Sequence, residues 1–247
     1  NTAFLNKGAA TVSSTSAFTD VDNRGTLTVS AVGSNTSGVS GLLTNAGSLI
    51  LAAGGGSSSE DVTLTVANGF TNEGLIELRG RDAWNNTAAL AVTAGALTNA
   101  AAGTVRGAGD NPGAGNSINA ELRNRGTIDV LQSMQVGNSG RTFDITNGML
   151  NVAAGKTLTV TGGGAVTMGA TVVNGSGTLE LAGAQTLDLA GDVILPAGGL
   201  TLAPSGTVTV NGPGTLINEG NTLNIGGETF NTAFLNKGAA TVSSTSA

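Results

Sequence analysis

The sequence has no cysteine and no histidine, and only 3% of its 247 residues are aromatic. Without cysteine there are no disulfides, thiolate metal sites or thiol catalysis. Without histidine the chain lacks the commonest general base, metal ligand and pH switch. Charge is also scarce: 11% of residues are charged, against ~25% in an ordinary globular domain. The net charge is −6, from 10 basic and 16 acidic residues. No basic stripe is present, which argues against a nucleic-acid partner. No apolar run reaches the ~18 residues of a transmembrane helix, so no membrane insertion is expected in this segment. No signal peptide is read at Asn1.

What is present is small and β-branched. Glycine occurs 40 times and 39% of residues are hydrophobic, whereas a disordered chain would be poor in apolar residues and rich in net charge. A thin core of Val, Leu, Ile and Ala is expected. One motif, Asn-x-Gly before a short alternating strand, organises the chain. Its asparagines are Asn6, Asn23, Asn45, Asn72, Asn124 and Asn218, with looser copies at Asn99, Asn147 and Asn174 and a further copy at Asn236. An apolar residue usually precedes each by two positions, as in Phe4, Val21, Leu43 and Phe70. From Asn6 to Asn174 the spacings are 17, 22, 27, 27, 25, 23 and 27 residues, and Asn218 follows 44 later. Repeats of this length indicate stacked supersecondary units.

Between Lys156 and Ile225 strand-like pieces begin at Thr157, Ala165, Thr171, Thr178, Thr186, Val193, Leu200, Thr207, Thr215 and Thr222. Three such steps of ~7 residues match the asparagine spacing of ~22. Within pieces the period is two: Leu158 and Val160, or Leu187 and Leu189, face one way, and Thr157 and Thr159, or Thr186 and Asp188, the other. The pattern predicts an all-β fold, a triangular parallel β-helix with three short strands per coil. The right-handed coil is expected from crossover sterics. Gly/Ser/Pro/Asn-rich loops are expected at Ser34–Gly41, 54–61, 80–87 and 107–117. At each corner Asn is expected to bond locally and Gly to supply positive φ. Stacking would bring the asparagine amides into an axial ladder.

The two ends carry one sequence: residues 1–17 and 231–247 both read NTAFLNKGAATVSSTSA. The simplest reading is a window on a tandem array, with residues 1–230 as one unit of about ten coils. Within it, 1–130 carries inserted loops, 131–230 is more regular, and 231–247 opens the next unit. A capping duplication within one protein is the alternative.

Candidate chemistry is thin. Glu180 and Asp188 fall on different faces; Asp20 with Asp22, and Glu77 with Arg79, are each two residues apart. None forms an evident carboxylate pair for glycan hydrolysis. Asp110 and Glu60-Asp61 are possible calcium ligands, without the spacing of an EF-hand loop. Thr-x-Thr at Thr157/Thr159 and Thr207/Thr209 would suit an ice-binding face only if it repeated coil after coil. Glycosylation triplets start at Asn35, Asn85 and Asn174. Trp84 and Asp110 are the candidate loop contacts. No catalytic residue, cofactor or metal is assigned.

The segments LTNAGSLIL, FTNEGLIEL and LRNRGTIDV resemble the repeats of bacterial surface β-helix proteins, the filamentous haemagglutinin and autotransporter passenger type. The resemblance implies secretion, a right-handed parallel β-helix and a role in adhesion, biofilm or surface coats. The expected function is a structural repeat of an extracellular filament or sheath whose partner is the next copy of itself. The alternative is an adhesin stalk whose loops bind glycans or host proteins. A polysaccharide-processing enzyme is a third reading.

Overall fold

The computed structural model describes residues 3–54, 56, 60–80, 86–109 and 115–242. Among them there is no helix, and the strands are parallel, stacked as a β-solenoid of about nine turns spaced by about 22 residues between a first and a last coil. The chain visits three faces in turn. Its first lap lays down Phe4–Asn6, Ala9–Val12 and Ala17–Phe18, one strand per face; its second lays down Val21–Asn23, Thr26–Ser30 and Asn35–Val39. Each strand pairs with the one a lap later: Phe4 opposite Val21, Ala10 opposite Leu27, Phe18 opposite Val39.

The two-residue alternation of a strand puts every other side chain inside. On the first face Val21, Leu43, Phe70, Leu97, Leu122, Phe143, Val166, Leu187 and Val210 form an axial column, all buried, ended by half-buried Phe4 and Phe230. The second face contributes Leu27, Leu49, Ile76, Val105, Ile128 and Leu150 in the same manner. The interior is therefore one continuous apolar core, mostly aliphatic, with Phe70 and Phe143 buried among Leu, Val and Ile.

The segment Ser34–Gly41, expected as a loop from its composition, instead holds the strand Asn35–Val39. Its small polar residues are internally satisfied. Ser37 is buried and donates from its hydroxyl to Asn35 Oδ1 at 2.8 Å, while Asn35 Nδ2 donates to Ser30 O at 2.7 Å. Tertiary pairing with Val62–Val66 overrides the weak strand propensity of Ser and Gly.

The corner glycines also serve a purpose other than the expected one. Gly25, Gly47, Gly74 and Gly126 are not at positive φ. A Cβ on Gly25 would lie 2.0 Å from Gly8 O, one on Gly47 2.1 Å from Gly25 O, and one on Gly74 2.0 Å from Gly47 O. Each is glycine because the corner of the previous lap lies directly against it. The corner amides confirm the closeness: Arg24 N and Gly25 N both donate to Asn6 O, at 2.8 and 3.1 Å.

The duplicated segment returns one face further round. Ala233–Asn236 and Ala239–Val242, which repeat residues 3–6 and 9–12, stack on Thr215–Asn218 and Thr222–Ile225. Thr215–Asn218 in turn stacks on Val193–Leu195, which lies in chain order between the first-face strand Gln185–Leu189 and the third-face strand Thr201–Pro204. The copy of the first-face strand Phe4–Asn6 thus lies on the second face. Phe4 and Phe234 are related by ten laps plus one face.

Glycine stacking gives a direct test. Gly25→Ala must displace backbone and is expected to cost at least ~1–3 kcal/mol. Gly8→Ala, whose Cβ would meet nothing within 4 Å, should stay within about 0.5 kcal/mol of the parent. Urea unfolding followed by circular dichroism measures both; equal losses would refute the stacking account.

Candidate functional site

The buried asparagines form the best-ordered polar feature. Alternation that turns Val21 inward also turns Asn23 inward, two residues on, at the corner between the first and second faces. Asn6 Nδ2 donates to Asn23 Oδ1 at 2.8 Å, Asn23 to Asn45 at 2.7 Å, Asn45 to Asn72 at 2.6 Å, Asn72 to Asn99 at 2.7 Å and Asn99 to Asn124 at 2.7 Å. The second amide proton goes to backbone, as from Asn23 to Ser48 O and from Asn45 to Leu75 O. All six side chains are 5% exposed or less. Every amide dipole in the row points the same way along the axis, an arrangement in which hydrogen bonds polarise one another.

The ladder stops at Asn124. Leu122 pairs with Phe143 and Arg123 with Asp144, so the next position belongs to Ile145, which is fully buried. Asn124 Nδ2 donates to Gly126 O and Met149 O instead. Asn147 and Asn174, expected in the row, are not in it. Asn147 is exposed in a turn at φ 58°, two residues beyond the ladder position. Asn174 is exposed on the second face in register with Asn151. Counting from the nearest apolar residue chose Ile145 as the inward marker of Asn147, whereas the pairing makes Phe143 the marker. The remaining two, Asn218 and Asn236, form a separate rung on the second face: Asn218 Nδ2 donates to Asn236 Oδ1 at 2.7 Å. Trp84 and Asp110 lie outside the described residues.

Three of the expected loops share one corner. Ala53, Gly80 and Gly109 are in register at the end of the second face, and the chain resumes on the third face at Val62, Ala88 and Asn116. Buried amides that the Asn-x-Gly motif does not mark brace this corner. Asn86 Oδ1 accepts from Glu60 N at 3.1 Å; Asn116 accepts from Gly80 N and donates to Ala108 O, both at 3.0 Å. Their only sequence signal is an amide close to where a loop rejoins a strand. Asn35, a glycosylation triplet, is 1% exposed and so inaccessible to a glycan.

Most of the charged candidates are engaged in structure, Glu60 being an exception whose Oε2 is buried without a hydrogen-bond partner. Asp20 accepts from Leu42 N at 2.7 Å, and Asp22 pairs with Arg24 and Thr44. Glu77, 5% exposed, pairs with Arg79 and lies 3.7 Å from Arg106, which bonds Asp129 at 3.1 Å; Asn151 donates to the same carboxylate. At Asp144 burial opposes ionisation, but hydrogen bonds from Arg125 and Thr146 prevail and hold the carboxyl below its usual range. Thr159 is followed a lap later by Glu180 and then by Ala203, so no regular threonine face forms there. Among the described residues no three His, Cys, Asp or Glu side chains are grouped to hold a metal, and no helix is long and apolar enough to cross a membrane. No protein-family model, curated protein or solved structure matches the chain.

Replacing a mid-ladder amide tests its weight. Asn72→Leu leaves one amide proton of Asn45 and the Asn99 Oδ1 acceptor unpaired, while Asn45 keeps its bond to Leu75 O; each lost bond costs ~1–3 kcal/mol. Asn174→Ala, on the exposed second face, should remain within about 0.5 kcal/mol. Denaturant midpoints of the two variants decide; parity between them would remove the ladder's energetic role.

Proposed function

We propose that the chain is a stackable structural repeat, a 230-residue solenoid unit of an extracellular bacterial filament or sheath. The observation that carries this is the second copy of the first-coil strands, seated in register on the last coil with an Asn–Asn rung re-formed. A unit of ten laps and one face adds ~50 Å of axis at ~4.8 Å per lap. Each unit is then turned by a third of a revolution from the one before. Continuous pairing leaves no lateral sheet edge along the fibre. With only 10 Lys and Arg in 247 residues, sites for trypsin-like cleavage are few. The bacterial and surface assignment comes from the repeat resemblance.

Chains carrying two, four and eight 230-residue units should appear by electron microscopy as unbroken rods lengthening by ~50 Å per added unit. Globules joined by flexible links would overturn the reading.

A second reading, an adhesin stalk, is favoured by the shared corner from which three loops leave successive laps. Replacing residues 55–59, 81–85 and 110–114 with short turns should leave the rods intact. Loss of binding on a glycan array would then place recognition in the loops, and binding unchanged from the parent would exclude it.

A further inference from the structure

We infer that Asn174 is a site of spontaneous covalent modification: it deamidates through attack by the Gly175 nitrogen, with water as co-reactant, ahead of the other Asn-Gly pairs, which the fold restrains.

The reaction is intramolecular. The backbone nitrogen of the following residue attacks the asparagine Cγ, and the new N–Cγ bond closes a succinimide ring. The Cγ–Nδ2 bond breaks, and ammonia leaves with the proton given up by the attacking nitrogen. Water then opens the ring at either carbonyl, leaving aspartate or isoaspartate. Glycine is the favoured next residue because no Cβ obstructs the approach. The sequence holds four Asn-Gly pairs, beginning at Asn68, Asn147, Asn174 and Asn211. Every asparagine of the first-face ladder is followed instead by a residue with a Cβ, since Asn-x-Gly places one residue between amide and glycine and Asn99 precedes Ala100.

The fold separates the four pairs. Asn68 Nδ2 donates to Ser40 O and Gly41 O, both at 3.2 Å, which ties its side chain to the previous lap. Asn211 Oδ1 accepts from Asn231 Nδ2 at 2.8 Å. At Asn147 the attacking group is engaged, because Gly148 N donates to Ile145 O at 3.1 Å. Asn174 and Gly175 are both exposed. Among the described residues neither the Asn174 side-chain amide nor Gly175 N has a hydrogen-bond partner.

The position of Asn174 in the sheet supplies the freedom that ring closure needs. The asparagine backbone must leave the extended conformation, and pairing on both sides of a strand resists that. Val172–Asn174 is the last strand of the continuous second-face sheet, paired below with Met149–Asn151, and Val193–Leu195 opens a separate sheet. Asn174 is therefore the end residue of a strand held along one edge, and the chain leaves it through Gly175 at φ 81°. The product carries a new carboxylate one lap beyond Asn151, whose amide already serves Asp129. It adds one negative charge to a net of −6, and the isoaspartyl form inserts an extra main-chain atom where the sheet ends.

The test incubates the full chain in warm, mildly alkaline buffer, which favours loss of the Gly175 N–H proton. Peptide mapping by mass spectrometry follows each pair over time, and isoaspartyl methyltransferase labels the isoaspartyl product. All four asparagines share a following glycine, so a parallel incubation in urea reads their reactivity without the fold. In the folded chain Asn174 is expected to convert about fivefold or more faster than each of Asn68, Asn147 and Asn211, the factor by which one hydrogen bond that must first break slows a reaction. In urea the four rates should converge. Asn174→Gln should abolish the early isoaspartyl label while circular dichroism stays that of the parent. Any of four results overturns the inference: another pair converts first in the folded chain, Asn174 stays intact, Asn174 leads by the same margin in urea, or the early label survives in Asn174→Gln.

Discussion

Everything in this fold depends on one requirement: each residue must fit against its own counterpart one lap away, at the ~4.8 Å spacing of paired strands. A residue type succeeds here by stacking on itself. In the interior apolar residues stack on apolar residues, in places like on like, as Leu97 on Leu122 and Val39 on Val66. Asn over Asn satisfies one amide donor and the acceptor in every rung from Asn23 to Asn99, and a backbone carbonyl takes the other donor. Gly over Gly lets the corner backbone approach where a methyl group would overlap a carbonyl. The sequence bias towards these few residue types is the imprint of that requirement.

The same requirement accounts for the scarcity of charge. Like charges stacked on neighbouring strands repel, so a lap-after-lap column of one sign is costly. Where charges do stack on the second face they alternate: Glu77, Arg106 and Asp129 follow one another in register, then neutral Asn151. Elsewhere an acidic residue meets a hydroxyl in a neighbouring lap, as Asp22 does with Thr44 and Glu180 with Thr159. The carboxylates therefore serve as partners for neighbouring laps, and none of the candidate pairs forms an isolated acid–base couple.

Much of this was legible in the residues. The strand starts between Thr157 and Thr222 agree with the observed strands to within a residue, because regular laps without insertions keep a fixed period. Five asparagines of the first-face row were recognisable because Asn-x-Gly marks a corner that must be tight, and Asn99, without that glycine, by its spacing from its neighbours. Three features were obscured. Asn35–Val39 looked like a loop because its inward positions are polar and find partners only through the fold. Asn147 looked like a rung because a nearby isoleucine mimicked the inward marker. Gly25, Gly47, Gly74 and Gly126 looked like positive-φ turns, as Gly220 is at φ 156°, since a local reading cannot see the lap beneath.

The sequence by itself determined the class of architecture: three short parallel strands to a lap, an aliphatic interior and an amide row, all consequences of short-range periodicity and side-chain size. Only the tertiary structure decided how the laps are phased. Loops add residues without adding a face, so laps run from 17 to 27 residues and residue number does not measure rotation. That 230 residues amount to ten laps and one face, placing the repeated segment a third of a revolution round the axis, is written in which strand pairs with which. That pairing depends on contacts far apart in the chain, and no local pattern contains it.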